Sequence, residues 1–128
     1  MVKSIKEIYR CDVCGNLVEV LTVGGGELIC CGQPMILLKG NDVDASVEKH
    51  VPVIEEIEGG YQIKVGQEDH PMTDAHFIEW ISIETKKKLY RKFLKPHDKP
   101  VAKFKTNCKI LKASCYCNLH SLWIKKGN

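Results

Sequence analysis

The sequence lacks long apolar runs, a secretory leader and a strong net charge. No apolar segment approaches the roughly 20 residues that a membrane span requires, and the first residues, Met1 to Ser4, have no apolar leader core. The formal net charge of +3 over 128 residues is too small to indicate nucleic-acid binding. We therefore expect a cytoplasmic protein that partners neither a membrane nor nucleic acid.

Helical periodicity is also missing. From residue 50 onward, apolar residues alternate with polar ones in short segments, as at Tyr61, Ile63 and Val65. Glu58-Gly59-Gly60 before them is a hairpin signal, and the three lysines at 86–88 predict a solvated hairpin tip. Several short strands at regular spacing favour an antiparallel β-sandwich.

The length allows one core with a small appendage. Of the 128 residues, we assign residues 1–38 to a small first domain and residues 39–128 to the sandwich. Residues 39–49 are polar and predict a linker with one helical turn before His50. Because the other segments indicate short strands, the predicted fold class is all-β.

Cysteine is unusually frequent, with seven residues, an odd number that disulfides alone cannot use. A reducing compartment would not maintain disulfides either, so metal binding is the better interpretation. Cys11 and Cys14 form a Cys-x2-Cys-Gly knuckle, a turn in which we expect backbone N–H groups to point at the sulfurs. The adjacent Cys30 and Cys31 follow after fifteen residues. Four thiolates suit Zn²⁺ or a single iron. The alternative is reduced, buried cysteines, and spacing alone does not choose between the two metals.

A segment as short as this first domain cannot bury enough apolar area to fold by itself. A bound ion would supply its folding free energy.

A second constellation ends in Cys117 and His120, where we expect the last strand to run into a loop. His50, His70 and His76 lie upstream, beside prolines or turn residues. A lone histidine is seldom a ligand, but the joint pattern predicts that all five residues bind one metal. Unrelated histidines are the alternative.

Three further residues receive structural interpretations. Cys115 shares a strand face with Cys117, which predicts a core position for Cys115 and a rim position for Cys117. Cys108 is expected in the core rather than at a metal. His97 lies in a charged turn and is interpreted as a surface histidine.

The ordered combination of these motifs resembles desulfoferrodoxin, the two-iron class of superoxide reductase, over essentially the whole chain. The residues that carry the resemblance are Cys11, Cys14, Cys30, Cys31, residues 48–52, His70-Pro71-Met72, His76 and residues 117–120. The chain departs from the family pattern at Ser121, where members commonly have glycine.

The resemblance implies a desulforedoxin-like domain followed by an immunoglobulin-like antiparallel sandwich, assembled as a homodimer. It implies two irons per chain. The first would be held by Cys11, Cys14, Cys30 and Cys31, and the second by an equatorial set of His50, His70, His76 and His120 with Cys117 as axial ligand. Glu48 would occupy the sixth position in the oxidised state, and Lys49 would guide the anionic substrate.

The implied activity is one-electron reduction of superoxide to hydrogen peroxide, with re-reduction by a rubredoxin-type donor. Two other functions stay open at this point. One is a non-catalytic electron carrier that uses the four-cysteine iron, and the other is a zinc-ribbon binding module with unrelated histidines. Metal analysis separates the three functions. The reductase requires two irons per chain, the electron carrier one iron, and the zinc-ribbon module zinc alone.

Overall fold

The computed structural model describes residues 1–42 and 50–127. Every regular element within those ranges is a β-strand, which confirms the all-β prediction. No helix long and apolar enough to span a membrane occurs in the described part of the chain. The chain divides into an N-terminal unit, Met1–Lys39, and a C-terminal unit, Gly40–Asn128.

The N-terminal unit contains five short strands: β1 (Ile8–Arg10), β2 (Leu17–Glu19), β3 (Ile29–Cys30), β4 (Gln33–Pro34) and β5 (Ile36–Leu38). Strand β1 is central and pairs antiparallel with β2 and β5, while β3 and β4 form a separate two-stranded ladder. The buried cluster of this unit comprises Val2, Tyr9 and Val20. This is a small core for a unit of its length.

The C-terminal unit contains seven strands: β6 (Pro52–Ile57), β7 (Gly60–Val65), β8 (Ile78–Glu84), β9 (Leu89–Phe93), β10 (Val101–Lys105), β11 (Lys112–Cys117) and β12 (Ser121–Lys126). They form a three-stranded sheet of order β10-β7-β6 and a four-stranded sheet of order β12-β11-β8-β9. Seven antiparallel strands divided three and four between two sheets are the immunoglobulin-like arrangement.

The core of the C-terminal unit lies between these two sheets. It includes Ile63 and Val65 from one sheet and Ile81 and Cys115 from the other, all essentially inaccessible to solvent. Cys115 is thus a core residue, as expected from the strand alternation. The core prediction for Cys108 is wrong: this side chain is only half-buried, because β10 ends at Lys105 and Cys108 lies beyond the strand, in the bend that follows it.

The hairpin predicted at residues 58–60 joins β6 to β7. Ile57 pairs with Gly60, and Gly59 takes the left-handed conformation with φ of 80° that favours glycine. A Cβ atom at Gly60 would collide with the backbone carbonyl of Phe104 on the neighbouring strand, so this position also requires glycine. The lysines at 86–88 are exposed in the loop between β8 and β9, as predicted.

Two features beside the β11 terminus were not predicted. Strand β12 follows β11 after a three-residue loop, residues 118–120, so that Cys117 pairs with Ser121. On its other side β11 pairs with β8, where Tyr116 is opposite Trp80 but Cys117 is opposite Ile78. Strand β8 thus carries a β-bulge at Glu79. Bulges re-aim the side chains that follow them, and this one lies where β11 delivers Cys117.

The expected linker is partly ordered into the sheet. Asn41 forms a parallel bridge to Trp123, with its backbone bonded to Leu122 and Ile124. The helical turn expected before His50 falls on residues 43–49, outside the described residues.

Candidate metal centres

The four cysteines of the N-terminal unit form one cluster. Their sulfur atoms all lie within 4.8 Å of one another. The Cys14 and Cys30 sulfurs are 3.6 Å apart, and those of Cys30 and Cys31 are 3.9 Å apart. A tetrahedron with metal–sulfur distances of about 2.3 Å has edges of about 3.8 Å, so these spacings suit one ion. They are far longer than a disulfide bond of about 2.05 Å.

The first turn of this cluster has the predicted knuckle geometry. The backbone N–H groups of Val13 and Cys14 donate to the Cys11 sulfur over 3.4 and 3.5 Å, and that of Asn16 donates to the Cys14 sulfur over 3.5 Å. Hydrogen bonds of this kind favour the thiolate, which is the form that binds metal. The turn therefore prepares the sulfurs for a cation.

The thiol pKa values show why a cation suits the cluster. The backbone N–H of Cys14 lowers the pKa of Cys11 to about 6. The hydrogen bond with the Cys14 sulfur raises the pKa of Cys31 to about 12, and the same partner raises that of Cys30. One sulfur ionises readily, but its neighbours then resist ionisation. Four thiolates together require a positive ion between them.

The second cluster is built in the C-terminal unit from residues far apart in the sequence. One ligand atom each from five side chains lies within 4.8 Å of all the others: His50, His70, His76, Cys117 and His120. His50 precedes β6, and His76 ends a turn just before β8. Cys117 is the last residue of β11, and the three-residue loop to β12 places His120 beside it. The structure thus brings together all five residues predicted for the second site.

Distances between side-chain atoms show which ring nitrogens face the centre of this second cluster. His50 Nε2 lies 3.1 Å from His120 Nδ1, and that same Nδ1 lies 3.8 Å from the Cys117 sulfur. His70 Nδ1 lies 2.7 Å from the Pro71 carbonyl oxygen. Since a carbonyl only accepts, Nδ1 of His70 carries the proton, and Nε2 is its basic nitrogen.

Solvent exposure differs across the second cluster. Cys117, His50 and His70 are buried, with exposed fractions of 0%, 2% and 3%. His76 is half-buried and His120 is exposed. The sulfur therefore lies on the core side of the cluster, and the cluster opens to solvent on the side of His120. Cys117 is the last residue of β11, which agrees with the predicted position at the rim of the sheet. Its side chain is nevertheless fully buried.

Two residues that contact this second cluster were not identified from the sequence. The Trp123 indole stacks on the His50 ring, with centroids 4.6 Å apart and planes at 17°, and its Nε1–H donates to the His120 carbonyl over 2.9 Å. Asn118 bonds to the turn that carries His76. Both residues lie within three positions of His120, a proximity that was the one signal available for them.

Of the other residues considered from the sequence, His97 and Cys108 belong to the described part of the chain. Glu48 and Lys49 fall outside the described residues. His97 is an exposed residue, as expected, and its Nε2 lies 3.2 Å from a carboxylate oxygen of Asp74. Cys108 belongs to neither cluster.

The donor sets fit transition metals. With metal–nitrogen distances of about 2.1 Å, ligands at right angles lie about 3.0 Å apart and opposite ligands about 4.2 Å. The observed 3.1 Å between His50 and His120, and the 4.8 Å limit for the whole set, are of this size. Imidazoles with one thiolate suit iron, copper or zinc rather than calcium or magnesium.

Comparisons with known proteins identify the same family over nearly the whole chain. Residues 42–126 match the family described as Desulfoferrodoxin, and residues 4–38 match "Desulfoferrodoxin, N-terminal domain". A desulfoferrodoxin from Syntrophotalea carbinolica is 54% identical over 121 residues, covering 94% of this chain and 96% of that protein. A superoxide reductase from Pyrococcus abyssi is 39% identical over 95 residues, with coverage of 59% of this chain and 83% of that protein.

The fold is similar to a solved structure over nearly the same length. The crystal structure of the superoxide reductase from Treponema pallidum aligns with a TM-score of 0.78 and 27% identity, covering 94% of this chain and 97% of that chain. With both family regions matched in order and each cluster inside its own region, the chain belongs to the desulfoferrodoxin family, which carries two iron sites.

Proposed function

We propose that the chain is a superoxide reductase, which converts superoxide, one electron and two protons into hydrogen peroxide at the second cluster. One observation carries the proposal: four imidazoles and the Cys117 sulfur converge on one point, and the exposed His120 marks a side open to solvent. The similarity to proteins named superoxide reductase supports it. His50, His70, His76, Cys117 and His120 would hold the iron of this site.

Iron bound there would supply the electron and pass from the ferrous to the ferric state. The residues set the charge around it. Four neutral imidazoles and one thiolate bring a single negative charge, which leaves a divalent ion with a net positive charge. A net positive site raises the encounter rate with a small anion.

Burial assigns different roles to the two sides of the second cluster. Cys117 is fully buried, so its thiolate is shielded from the peroxide that the reaction produces. Oxidation of cysteine follows exposure as well as thiolate character, and shielding preserves the ligand. His120 lies on the exposed side, where a diatomic anion and protons from water have access.

We also propose that Lys49 attracts superoxide and that Glu48 occupies the open position in the oxidised protein, as the family resemblance implies. We expect Lys49→Ala to slow the reaction with superoxide about ten-fold at low salt and to flatten its dependence on ionic strength. Lys86→Ala at the exposed β8–β9 loop is the matched control, since it removes the same charge elsewhere. Equal rates and salt profiles in the two variants would exclude steering by Lys49.

The proposed partners are a rubredoxin-type electron donor and a second copy of the chain, in the cytoplasm. Exposed apolar side chains that line one groove of the N-terminal unit support association: Leu21 is 81% exposed and Ile29 is 58% exposed. Apolar patches of this kind mark interaction surfaces. Sedimentation equilibrium should give about twice the 14.5 kDa mass of one chain.

The test of the proposed reaction is a superoxide pulse applied to the fully reduced protein under anaerobic conditions. A reductase forms one hydrogen peroxide for each superoxide consumed and releases no dioxygen. A dismutase forms half as much peroxide and releases dioxygen. Dioxygen release, or superoxide decay no faster than in buffer, would overturn the proposal.

A further inference from the structure

The second cluster joins two separate loops whose relative position the β-ladder does not fix. Cys117 ends β11 and His120 is the last residue of the β11–β12 loop, whereas His76 ends the turn before β8. The last ladder pair between β8 and β11 is Ile78 with Cys117, so His76 lies two residues beyond the ladder. Another contact must hold its loop in place.

Asn118 supplies that contact on both sides of His76. Its Nδ2 donates to the Ala75 carbonyl over 2.9 Å, and its Oδ1 accepts from the Phe77 N–H over 2.9 Å. Its own backbone N–H donates to the Phe77 carbonyl over 3.2 Å. Because a carbonyl only accepts and an N–H only donates, one orientation of the amide satisfies both side-chain bonds.

Other bonds of the turn that carries His76 lie within the turn or reach His97, whose Nε2 is 3.2 Å from a carboxylate oxygen of Asp74. Thr73 and His76 exchange backbone hydrogen bonds of 2.9 and 3.3 Å, and the Thr73 hydroxyl accepts from the His76 N–H over 3.1 Å. These bonds shape the turn but do not attach it to the β11–β12 loop. The bonds of Asn118 do.

We propose that Asn118 is a positioning residue that holds His76 against Cys117 and His120, so that the second cluster forms a preorganised metal site. The inference rests on the iron site of the proposed function but not on its reaction with superoxide. Residues that orient metal ligands typically contribute about 10- to 100-fold in metal affinity or activity. An aspartate keeps the acceptor for Phe77 but loses the donor for Ala75, and alanine loses both.

The experiment compares Asn118→Ala and Asn118→Asp with wild-type protein, all loaded with ⁵⁷Fe. Asn107→Ala is the matched control, because Asn107 is an exposed asparagine outside both clusters. Mössbauer spectra separate a four-sulfur iron from a nitrogen-rich one, so that each site is counted during a chelator challenge. Thermal unfolding of metal-free protein measures any general loss of stability.

We expect Asn118→Ala to lose iron from the second cluster about 10- to 100-fold faster than wild type, with an altered spectrum of that iron. The Asn118→Asp variant should fall between alanine and wild type, and the four-cysteine iron should be unaffected in both. A purely structural role predicts lower stability of the metal-free variants with wild-type spectra and iron retention, and that result would overturn the proposal.

The two proposals can fail separately. The Asn118 variants could lose iron as expected although the wild-type protein does not reduce superoxide. That result would exclude the proposed reaction and leave the positioning role of Asn118. A wild-type second cluster that holds no iron would overturn both. Should Asn118→Ala fail to fold, Asn118→Asp decides, because wild-type iron retention in that variant contradicts the role of the donated bond to Ala75.

Discussion

The two clusters obtain their ligands in different ways. The four-cysteine cluster takes its ligands from the 21 residues that run from Cys11 to Cys31, on two turns of a unit with a small buried cluster of Val2, Tyr9 and Val20. The second cluster spans the 71 residues from His50 to His120 and lies at one end of a sandwich with its own large core. The comparison predicts that the N-terminal unit needs its metal to fold, whereas the sandwich can fold without metal and then binds it.

The largest expected effect follows from the weaker of these two cores. We expect Cys11→Ser/Cys30→Ser to unfold residues 1–39 while residues 50–127 stay folded. Metal binding in short thiolate sites contributes about 10–16 kcal/mol, more than a core of this size provides. Amide hydrogen exchange measured by mass spectrometry should show loss of protection in the N-terminal unit alone.

Cys108→Ser is the control for this double variant, because it makes the same substitution at a half-buried cysteine outside both clusters. It should leave both units protected. Retained protection over residues 1–39 in the double variant would contradict a metal-dependent fold and would make the two units alike in this respect.

The second prediction concerns a ligand whose loss the sandwich should survive. We expect Cys117→Ser to lower superoxide reduction at least about 100-fold and to remove the thiolate absorption of the second site, with the four-cysteine iron retained. Burying a hydroxyl in place of sulfur costs about 1–3 kcal/mol, which a core of this size tolerates. Iron content, activity and the unfolding midpoint are the measurements.

Cys115→Ser is a closely matched control. Cys115 is also 0% exposed, lies two residues earlier on the same face, and donates its S–H to the His50 carbonyl over 3.3 Å. A serine there can donate the same bond, so we expect both irons and most activity to be retained. Similar losses in the two variants would mean that the sandwich, rather than the ligand, had been damaged.

The difference between the clusters also explains what the sequence could predict. The Cys-x2-Cys-Gly knuckle is a local pattern, and the predicted N–H to sulfur bonds of Cys11 and Cys14 are present. The five residues of the second cluster were identified only as a joint pattern and through the family resemblance. Their convergence depends on strand pairing, which a single sequence does not specify.

Non-local pairing accounts for the features that sequence analysis missed. The bulge at Glu79 exists only in the register between β8 and β11, and β12 was not predicted because Cys117 and His120 were interpreted as the end of the last strand. Trp123 and Asn118 carry no local metal-binding signal; their roles arise from partners brought close by folding. Cys108 was placed in the core by extending an alternation past the end of its strand.

A smaller effect is expected at Ser121, the position where the family resemblance leads one to expect glycine. Ser121 has φ of 72°, a left-handed conformation that costs a residue with a Cβ about 1–2 kcal/mol. Glycine removes this cost, but part of the gain is offset because glycine loses more backbone entropy on folding than serine does. We therefore expect Ser121→Gly to stabilise the C-terminal unit by up to about 1 kcal/mol.

Tryptophan fluorescence in a urea titration checks the Ser121→Gly prediction, because both tryptophans, Trp80 and Trp123, lie in the C-terminal unit. Protection of the N-terminal unit should not change. Asn107→Gly, at an exposed position of the same unit without positive φ, is the control and should not raise the midpoint. A lower midpoint for Ser121→Gly would show that the serine side chain contributes more than its backbone conformation costs.

The smallest effects come from two carboxylates whose pKa values shift in opposite directions. The N–H groups of Lys3 and Ser4 lower the pKa of Glu7, so its stabilisation is present above the unfolded value of about 4.3 and is lost as the pH falls through the folded value. Burial raises the pKa of Glu79 at the bulge, so its contribution is full below about 4.3 and is lost as the pH rises through the raised value.

At pH 7, therefore, the ionised Glu7 stabilises the N-terminal unit, while the ionised Glu79 destabilises the C-terminal unit. We expect Glu7→Gln to reduce hydrogen-exchange protection over residues 1–39 and Glu79→Gln to raise the urea midpoint reported by tryptophan. Both changes should be smaller than that of Ser121→Gly, because both carboxylates are partly exposed and solvent screens their interactions. Changes of the same sign in the two units would contradict this assignment. The partly buried carboxylate of Glu79, at the bulge beside Cys117, therefore lowers the stability of the C-terminal unit at pH 7. The large core of that unit offsets this loss.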